Sequence, residues 1–485
     1  MNRVLPIVHV LGLVVLIFAF ALLLPVAAGL YFGDAAETAY DDAFVVIFLS
    51  GLFMWLGTRH KKRELQIKDG FLLVALVWAV LPAFATLPFL IYFPHISFTD
   101  AYFEAVSGMT TTGSTVLSGL DALPPSINLW RAELVWVGGM GLIVLAVAIL
   151  PLLGIGGRQM FKAETPGPMK DSQLTPRIAQ TAKGLWLVYG GITLACFLAY
   201  WAAGMRKFDA LVHAFTTMGL GGFSTHDASF GYFNSPAIEI VCVVFMLIAG
   251  VNFATHFLAF RARSLMAYGH DSEAHAFWIV TLGSALVIAL YLLWWGVYPD
   301  FFTALRFSLF NTVSIATSTG FASTDYNSWP IFAPLVMLLL SCFASSSGST
   351  GGGIKMVRAM LLYKQGLREM TRLIHPNAVL PVKLQNQVVP NNIIYAVLAY
   401  LFLYIVSLIF MTLLMTASGL DFVTSFTAVT ASINNTGPGL NQVGPATTYA
   451  SLTDFQTWVC TFAMLLGRLE LFTFFVLFTR SFWRP

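Results

Sequence analysis

The chain has 485 residues, of which 58% are hydrophobic and only 10% are charged, and long apolar runs recur from end to end. This composition excludes a soluble globular protein and indicates a polytopic membrane protein with no soluble domain left over. The net charge of +3 says little about partners, and the four scattered cysteines form no CxxC pair of a disulfide framework or zinc site.

Apolar runs of about 20 residues predict ten membrane spans. The N-terminal run is too long for the apolar region of a signal peptide, so we expect it to be retained as a span. Placing both termini in the cytosol puts 21 of the 26 Lys and Arg residues inside, as the positive-inside rule favours. The predicted spans cover residues 5–30, 43–58, 70–93, 130–155, 184–204, 236–260, 276–298, 331–345 with a continuation, 391–417 and 453–480.

Four of the external connections contain a shorter apolar segment that ends in a polar run with glycine. The four align without gaps, which predicts four repeats of span, half-helix, glycine loop and span after a two-span addition at 1–69. The predicted repeats cover residues 70–160, 161–265, 266–385 and 386–485. The aligned segments read FTDAYFEAVSGMTTTG from residue 98, KFDALVHAFTTMGLGG from 207, LRFSLFNTVSIATSTG from 305 and FVTSFTAVTASINNTG from 422.

Four re-entrant segments on one face predict an all-α fold around a single pore, because irregular backbone at membrane depth must be buried in protein or line water. The C-terminal end of each half-helix would aim partial negative charge at the membrane centre, where a cation needs it. Carbonyl oxygens of the following loop would then replace the hydration shell of the ion. The shared position, occupied by Gly113, Gly222, Gly320 and Gly437, requires dihedral angles that a Cβ forbids.

Acidic residues near the starts of the half-helices could have either of two roles: they could attract cations, or they could cap the helix. We interpret Asp100, Asp209 and Asp421 as N-caps, because a cap explains each of them as well as ion attraction does. Other acids on the external side are expected to add a weak cation-attracting field. These are Glu104, Asp121 and Asp325.

The four loops, which read TTTGS, LGGFS, STGFAS and NTGPG, resemble those of the Trk, Ktr and HKT superfamily of potassium transporters. Two extra N-terminal spans and a broken second span in the third repeat make the chain most similar to the TrkH-type membrane subunit of bacterial Trk potassium-uptake systems. The resemblance implies a channel-like potassium pathway in the bacterial inner membrane, with potassium as the bound ion and no cofactor. It also implies a homodimer with one pore per subunit, gated by a cytosolic, nucleotide-binding TrkA-type ring.

The same resemblance implies that the ion meets backbone carbonyls at three positions of each loop. Side-chain identity varies among the loops, which suits backbone coordination. In plant relatives a serine at the first filter glycine accompanies sodium, so Gly113 favours potassium. No loop carries the TVGYG sequence of tetrameric potassium channels, so we expect looser selectivity against rubidium or sodium. The implied filter residues are Thr111, Thr112, Gly113, Leu220, Gly221, Gly222, Ser318, Thr319, Gly320, Asn435, Thr436 and Gly437.

A run of Ser, Gly and Thr interrupts the third repeat before its second span has crossed the membrane. The fourteen residues 331–344, apolar except for Ser341, cover about 21 Å at 1.5 Å per residue, so the run begins about two thirds of the way across. It cannot face lipid, so we expect it to line the pore below the filter and to bind Arg468 as a gate. The predicted gate residues are Ser345, Ser346, Ser347, Gly348, Ser349, Thr350, Gly351, Gly352, Gly353 and Arg468.

Two other functions compete with that of a channel. A symporter coupled to protons or sodium would place an ionisable group near the middle of the bilayer, and Glu470 is the plausible candidate. An enzyme with a phosphate-binding loop at GSTGGGIK is disfavoured, because the second motif glycine is followed by Ile354 where the motif has lysine, and no strand precedes the loop. The sequence contains no catalytic triad, metal-ligand cluster or nucleic-acid-binding motif.

The basic cytosolic segments have two interpretations. Residues 355–383 and 158–183 are predicted to dock the regulatory partner, with Arg358, Lys364 and Arg368 among the contact residues, together with Arg372. The alternative is that these charges only set the topology.

Overall fold

A computed structural model describes residues 4–60, 65–141, 178–385 and 387–484 of the chain. Helices dominate these residues, and the only strands described are the two short ones of an antiparallel hairpin, Lys383–Leu384 and Gln387–Val388. The prediction of an all-α membrane protein is therefore confirmed. Within the described residues the long apolar helices are Leu5–Phe32, Glu37–Gly57, Lys68–Tyr92, Ala182–Ala202, Ser272–Trp294 and Asn391–Ala417.

Two of the predicted continuous spans, 236–260 and 453–480, are wrong, because each is a pair of helices joined at a sharp bend. Pro236–Ala249 meets Phe253–Ala262 at 92°, and the side chain of Asn252 starts the second helix by accepting a hydrogen bond from the amide of Ala254 at 2.8 Å. Asp454–Arg468 meets Leu471–Phe478 at 109°. The sequence predicts a break only in the third repeat, but the second and fourth repeats contain one as well.

The third repeat has the predicted interruption. Phe332–Ser341 is followed by residues 345–353, which we call the intramembrane loop, and then by the amphipathic helix Met356–Ile374. In the first repeat, Pro125–Gly139 covers the start of the span predicted at 130–155, and the part from residue 142 lies outside the described residues. The boundaries of the four repeats remain predictions.

The N-terminal addition packs tightly against the first repeat. Gly12 and Gly51 bring two helices into close approach, since a Cβ built on Gly12 would lie 2.8 Å from the amide nitrogen of Trp55. The fully buried rings of Trp78 and Trp130 join this pair to the helices of repeat 1. The addition is thus part of the same helical core.

Four half-helices enter the core, and we number them 1 to 4 in chain order. They are Phe98–Met109, Lys207–Gly219, Phe301–Ala316 and Phe422–Ile433. The capping prediction is confirmed for Asp421, which accepts from the amide of Thr424 at 2.9 Å. It is wrong for Asp100 and Asp209, which lie in the first turn, where Ser97 takes the capping position before Asp100.

The remaining elements either connect the spans and half-helices or are shorter segments within the long helices, as Leu87–Tyr92, Phe20–Leu22 and Val476–Phe478 are. Short helices are Leu87–Tyr92, Met266–Gly269 and Arg480–Trp483. Single 3-10 turns lie at Phe20–Leu22, Leu120–Ala122, Ser229–Tyr232, Tyr326–Ser328, Asn441–Val443, Tyr449–Ser451 and Val476–Phe478.

Candidate functional site

All four half-helices end in the same hydrogen-bonded turn, which leads into pore loops 1 to 4, residues 110–113, 219–222, 317–320 and 434–437. In each turn one residue has left-handed backbone, and the following amide bonds to the carbonyl five residues earlier, as in a Schellman motif. Threonine and leucine rarely adopt positive φ, so this conformation is strained and held by its surroundings. The left-handed residues and their φ values are Thr111 (58°), Leu220 (54°), Ser318 (58°) and Asn435 (53°).

The four pore loops follow one another around a common centre in chain order. Each of the aligned glycines lies against the backbone of the next loop, so a Cβ would collide with it. A Cβ on Gly113 would lie 2.3 Å from Gly222 N, on Gly222 2.7 Å from Thr319 O, on Gly320 2.2 Å from Thr436 O and on Gly437 2.9 Å from Thr112 O. Gly113, Gly320 and Gly437 also have positive φ. The structure thus brings the predicted filter residues together.

A cavity of 270 Å³ opens on one side of this ring, and we call it the vestibule. All four aligned glycines line it. The rest of its wall comes from the segments that follow the pore loops, including Ser114, Arg131, His226 and Tyr449. The ring therefore closes the bottom of a space large enough for several water molecules.

A buried ion pair between Glu104 and Arg131 holds the segment that follows pore loop 1. Arg131 Nε lies 2.8 Å from Glu104 Oε1, and both side chains are at most 1% exposed. Glu104 also accepts from Thr115 Oγ1 at 2.9 Å and from the amide of Val116 at 3.0 Å, while Arg131 donates to Ser224 O at 3.2 Å. The expectation that Glu104 is an external cation-attracting acid is wrong. From sequence, Arg131 is counted among the external basic residues; its position at the edge of the predicted span 130–155 is a signal that points to a buried partner.

His226 joins the segments after pore loops 1 and 2 at the rim of the vestibule. Its Nδ1 contacts Asp121, its Nε2 lies 3.6 Å from Asp209 Oδ1, and its ring stacks on Tyr232. Burial lowers the pKa of His226, but hydrogen bonds and charge from Asp209 and Asp121 outweigh burial and raise it above its ordinary value. At neutral pH the imidazole thus carries at least part of a positive charge between two carboxylates.

This arrangement predicts that stability falls as the pH rises. A histidine whose pKa is raised on folding contributes fully below its ordinary pKa of about 6.5, and the contribution disappears as the pH passes the raised value. We expect the melting temperature of the purified chain to decrease across that window, and by less in His226→Gln. His95→Gln, at an exposed position, is the matched control. Equal pH profiles for the parent chain and His226→Gln would contradict the prediction.

The intramembrane loop lies on the opposite side of the ring, against the ends of three half-helices. Thr350 Oγ1 donates to Met218 O at 3.0 Å and the amide of Gly352 donates to Ser318 Oγ at 2.7 Å. A Cβ on Gly352 would lie 1.9 Å from Asn434 O, so glycine is required for this approach. Ser345, Ser346 and Thr350 are at most 1% exposed.

Arg468 connects the intramembrane loop to the first repeat. It is the last residue of its helix, at the bend rather than at the predicted centre of a continuous span. Its guanidinium donates to Thr350 O at 3.0 Å and Gly139 O at 3.0 Å, contacts Gly138 O, and lies 3.4 Å from Thr111 Oγ1. The predicted contact between Arg468 and the loop is present, with a carbonyl as the acceptor.

Two of the basic residues predicted to dock a partner are buried and form contacts within the chain, and one of them pairs with Glu470. Arg358 pairs with Glu470 at 2.9 Å, lies 4.1 Å from the ring centre of Tyr400 and is 6% exposed. Arg368 is 8% exposed and donates to Asn391 Oδ1 at 2.9 Å. Their place in the predicted docking surface is wrong, since the amphipathic helix turns them toward its packed face. Residues 158–177 lie outside the described part of the chain.

Three comparisons place the chain among known proteins. Residues 37–484 match the model of the TrkH family, described as cation transport protein. The Trk system potassium uptake proteins TrkH of Salmonella typhimurium and Escherichia coli K12 are 45% and 44% identical to it, each over 99% of both chains. The crystal structure of the potassium transporter TrkH from Vibrio parahaemolyticus has a TM-score of 0.90 at 43% identity, covering 99% of this chain and 100% of that one. The chain therefore belongs to the TrkH family of cation transport proteins, which are transporters and not enzymes.

Proposed function

We propose that this chain conducts potassium through the ring of four pore loops. The observation that carries the proposal is the ring itself: four glycines at one aligned position, each without room for a Cβ, beneath a vestibule that all four line. Close packing of four backbones leaves carbonyl oxygens as the groups able to replace the water around a cation. The four half-helices add partial negative charge from their C-terminal ends. The similar proteins named above as potassium uptake proteins supply the identity of the ion.

The intramembrane loop and Arg468 are proposed to form the gate. The loop lies where an ion leaving the ring would pass, and the guanidinium adds positive charge beside Thr111 at the start of pore loop 1. A positive charge beside a narrow path opposes a cation both sterically and electrostatically. Glycines at both ends of the loop's central turn, Gly348 and Gly353, have positive φ and provide the freedom for it to withdraw.

The proposal also covers the subunits with which the chain assembles and its orientation in the membrane. The charge bias favours cytosolic termini in the bacterial inner membrane, and the names of the relatives, which refer to a Trk system, favour an assembly with other subunits. We propose a homodimer with a cytosolic, nucleotide-binding TrkA-type partner. Of the basic residues predicted to contact it, Arg372 is exposed and Lys364 is half-buried, so the docking surface is restricted to this side of the helix Met356–Ile374.

Ion flux into liposomes that contain the purified chain tests the proposal. We expect potassium flux that follows the imposed electrochemical gradient and reverses with it, because the ring is a passive path. A matched control is the Gly320→Val variant, whose larger side chain would fill the ring. Uphill potassium uptake driven by a pH or sodium gradient would instead support a symporter, although Glu470, its candidate coupling group, is held by Arg358.

A further inference from the structure

Pore loop 4 differs from the other three in what its glycine carbonyl does. Gly437 O accepts hydrogen bonds from Ser114 Oγ and from Tyr449 Oη, both at 2.8 Å. Ser114 follows the glycine of pore loop 1, and Tyr449 begins a 3-10 turn later in the fourth repeat. Both donors line the vestibule.

The two donors fix the direction of this carbonyl. A carbonyl oxygen has two lone pairs, and two hydrogen bonds of normal length engage both of them. Tyr449 is itself held, since its side chain is buried at 2% exposure and its amide donates to Thr115 O at 2.9 Å. Among the described residues, no hydrogen bond of this kind is formed to the carbonyls of Gly113, Gly222 or Gly320. The side chains of Ser114 and Tyr449 thus connect pore loop 4 to pore loop 1 where the two loops meet, and we call this contact the seam.

We propose that Tyr449 and Ser114 are positioning residues that set ion discrimination by holding the Gly437 carbonyl at this seam. The inference rests on the proposed function of the ring. With its lone pairs engaged, Gly437 O is turned away from the ion, in contrast to the expectation from sequence that this carbonyl coordinates it, and the remaining loops form the outermost ion position. Loss of either donor would free the carbonyl to turn toward the ion path, which loosens the fit of the ring around one cation size.

The third repeat provides a matched control for Tyr449. Tyr326 also begins a 3-10 turn, also follows a pore loop and is also 2% exposed. Its hydroxyl, however, has no hydrogen-bond partner among the described residues. Tyr449→Phe and Tyr326→Phe therefore each remove one buried hydroxyl, and only the first removes a hydrogen bond to the carbonyl of Gly437.

The experiment compares potassium, rubidium and sodium flux of the parent chain, Tyr449→Phe, Ser114→Ala and Tyr326→Phe in liposomes. We expect the potassium-to-sodium flux ratio to fall about fivefold in Tyr449→Phe and Ser114→Ala, the scale of one net hydrogen bond, and to stay at the parent value in Tyr326→Phe. Ser114→Ala keeps the test valid if Tyr449→Phe is not stably folded.

The outcomes separate this inference from the proposed function. A conducting parent with unchanged ratios in Tyr449→Phe and Ser114→Ala would overturn the positioning role alone. An equal drop in Tyr326→Phe would overturn it too, because loss of a buried hydroxyl would then suffice. A parent chain that conducts no potassium would overturn the proposed function and this inference with it.

Discussion

Replacing Gly113 with serine should lower the ratio of potassium to sodium flux about tenfold or more, the largest change in selectivity that we expect from one side chain. A Cβ at this position would lie 2.3 Å from the backbone nitrogen of Gly222, and Gly113 has a φ of 81°. A left-handed residue with a Cβ costs about 1 to 2 kcal/mol, and the contact forces pore loops 1 and 2 apart as well.

The measurement is flux of both ions through purified chains in liposomes, with Gly366→Ser as the control. Gly366 lies on the helix Met356–Ile374, and nothing is within 4 Å of a Cβ built on it. Parent-like selectivity in a stable Gly113→Ser variant would show that this glycine is not part of the filter.

Arg468→Ala should raise potassium flux in the absence of any partner protein. The guanidinium contacts the carbonyls of Gly138, Gly139 and Thr350, and so ties the intramembrane loop to repeat 1. Hydrogen bonds to charged groups contribute about 1.5 to 3 kcal/mol, so their loss should shift the closed-to-open equilibrium about tenfold or more toward the open state.

Arg372→Ala is the matched control, because Arg372 is exposed and pairs only with the neighbouring Glu369 among the contacts described. Single-channel recording would distinguish a higher open probability from a larger current through each open pore. Flux in a stable Arg468→Ala variant at or below that of the parent would identify the arginine as a structural tie and not a gate.

Hydropathy and repeat alignment predict most of the fold, because each span must satisfy its own backbone hydrogen bonds inside lipid. They miss the bends after Ala249 and Arg468, since mean hydropathy does not respond to a change of direction. Glu470, with a φ of 55°, lies between the helix that ends at Arg468 and the helix that begins at Leu471, and a charged residue in that conformation is stabilised by tertiary contacts. The pair with Arg358 is separated by 112 residues in sequence and could not be read from either segment alone.

In the candidate site, too, some features can be predicted from sequence and others depend on tertiary structure. The glycine register follows from sequence, because only glycine fits where two backbones approach so closely. The left-handed turn before it does not, since Leu220 and Thr111 are residue types that local rules exclude from positive φ. Side chains that tie the loops together, such as Tyr449 on Gly437 and His226 on Asp121, depend on how the repeats pack. Sequence therefore locates the ring, and tertiary structure determines how it is held.

If the intramembrane loop is the gate, as proposed, its hydrogen bonds to the half-helix ends link the identity of the bound ion to opening. Thr350 and Gly352 bond to Met218 and Ser318, so the proposed withdrawal of the loop would break bonds at the end of half-helix 2 and in pore loop 3. Coupling free energies between two sites are reciprocal. An ion that binds the ring more tightly when the loop is in place shifts the loop toward its closed position. By the same free energy, closure of the loop increases the affinity of the ring for that ion. In the proposed mechanism, the permeating cation is thus an allosteric ligand of its own gate.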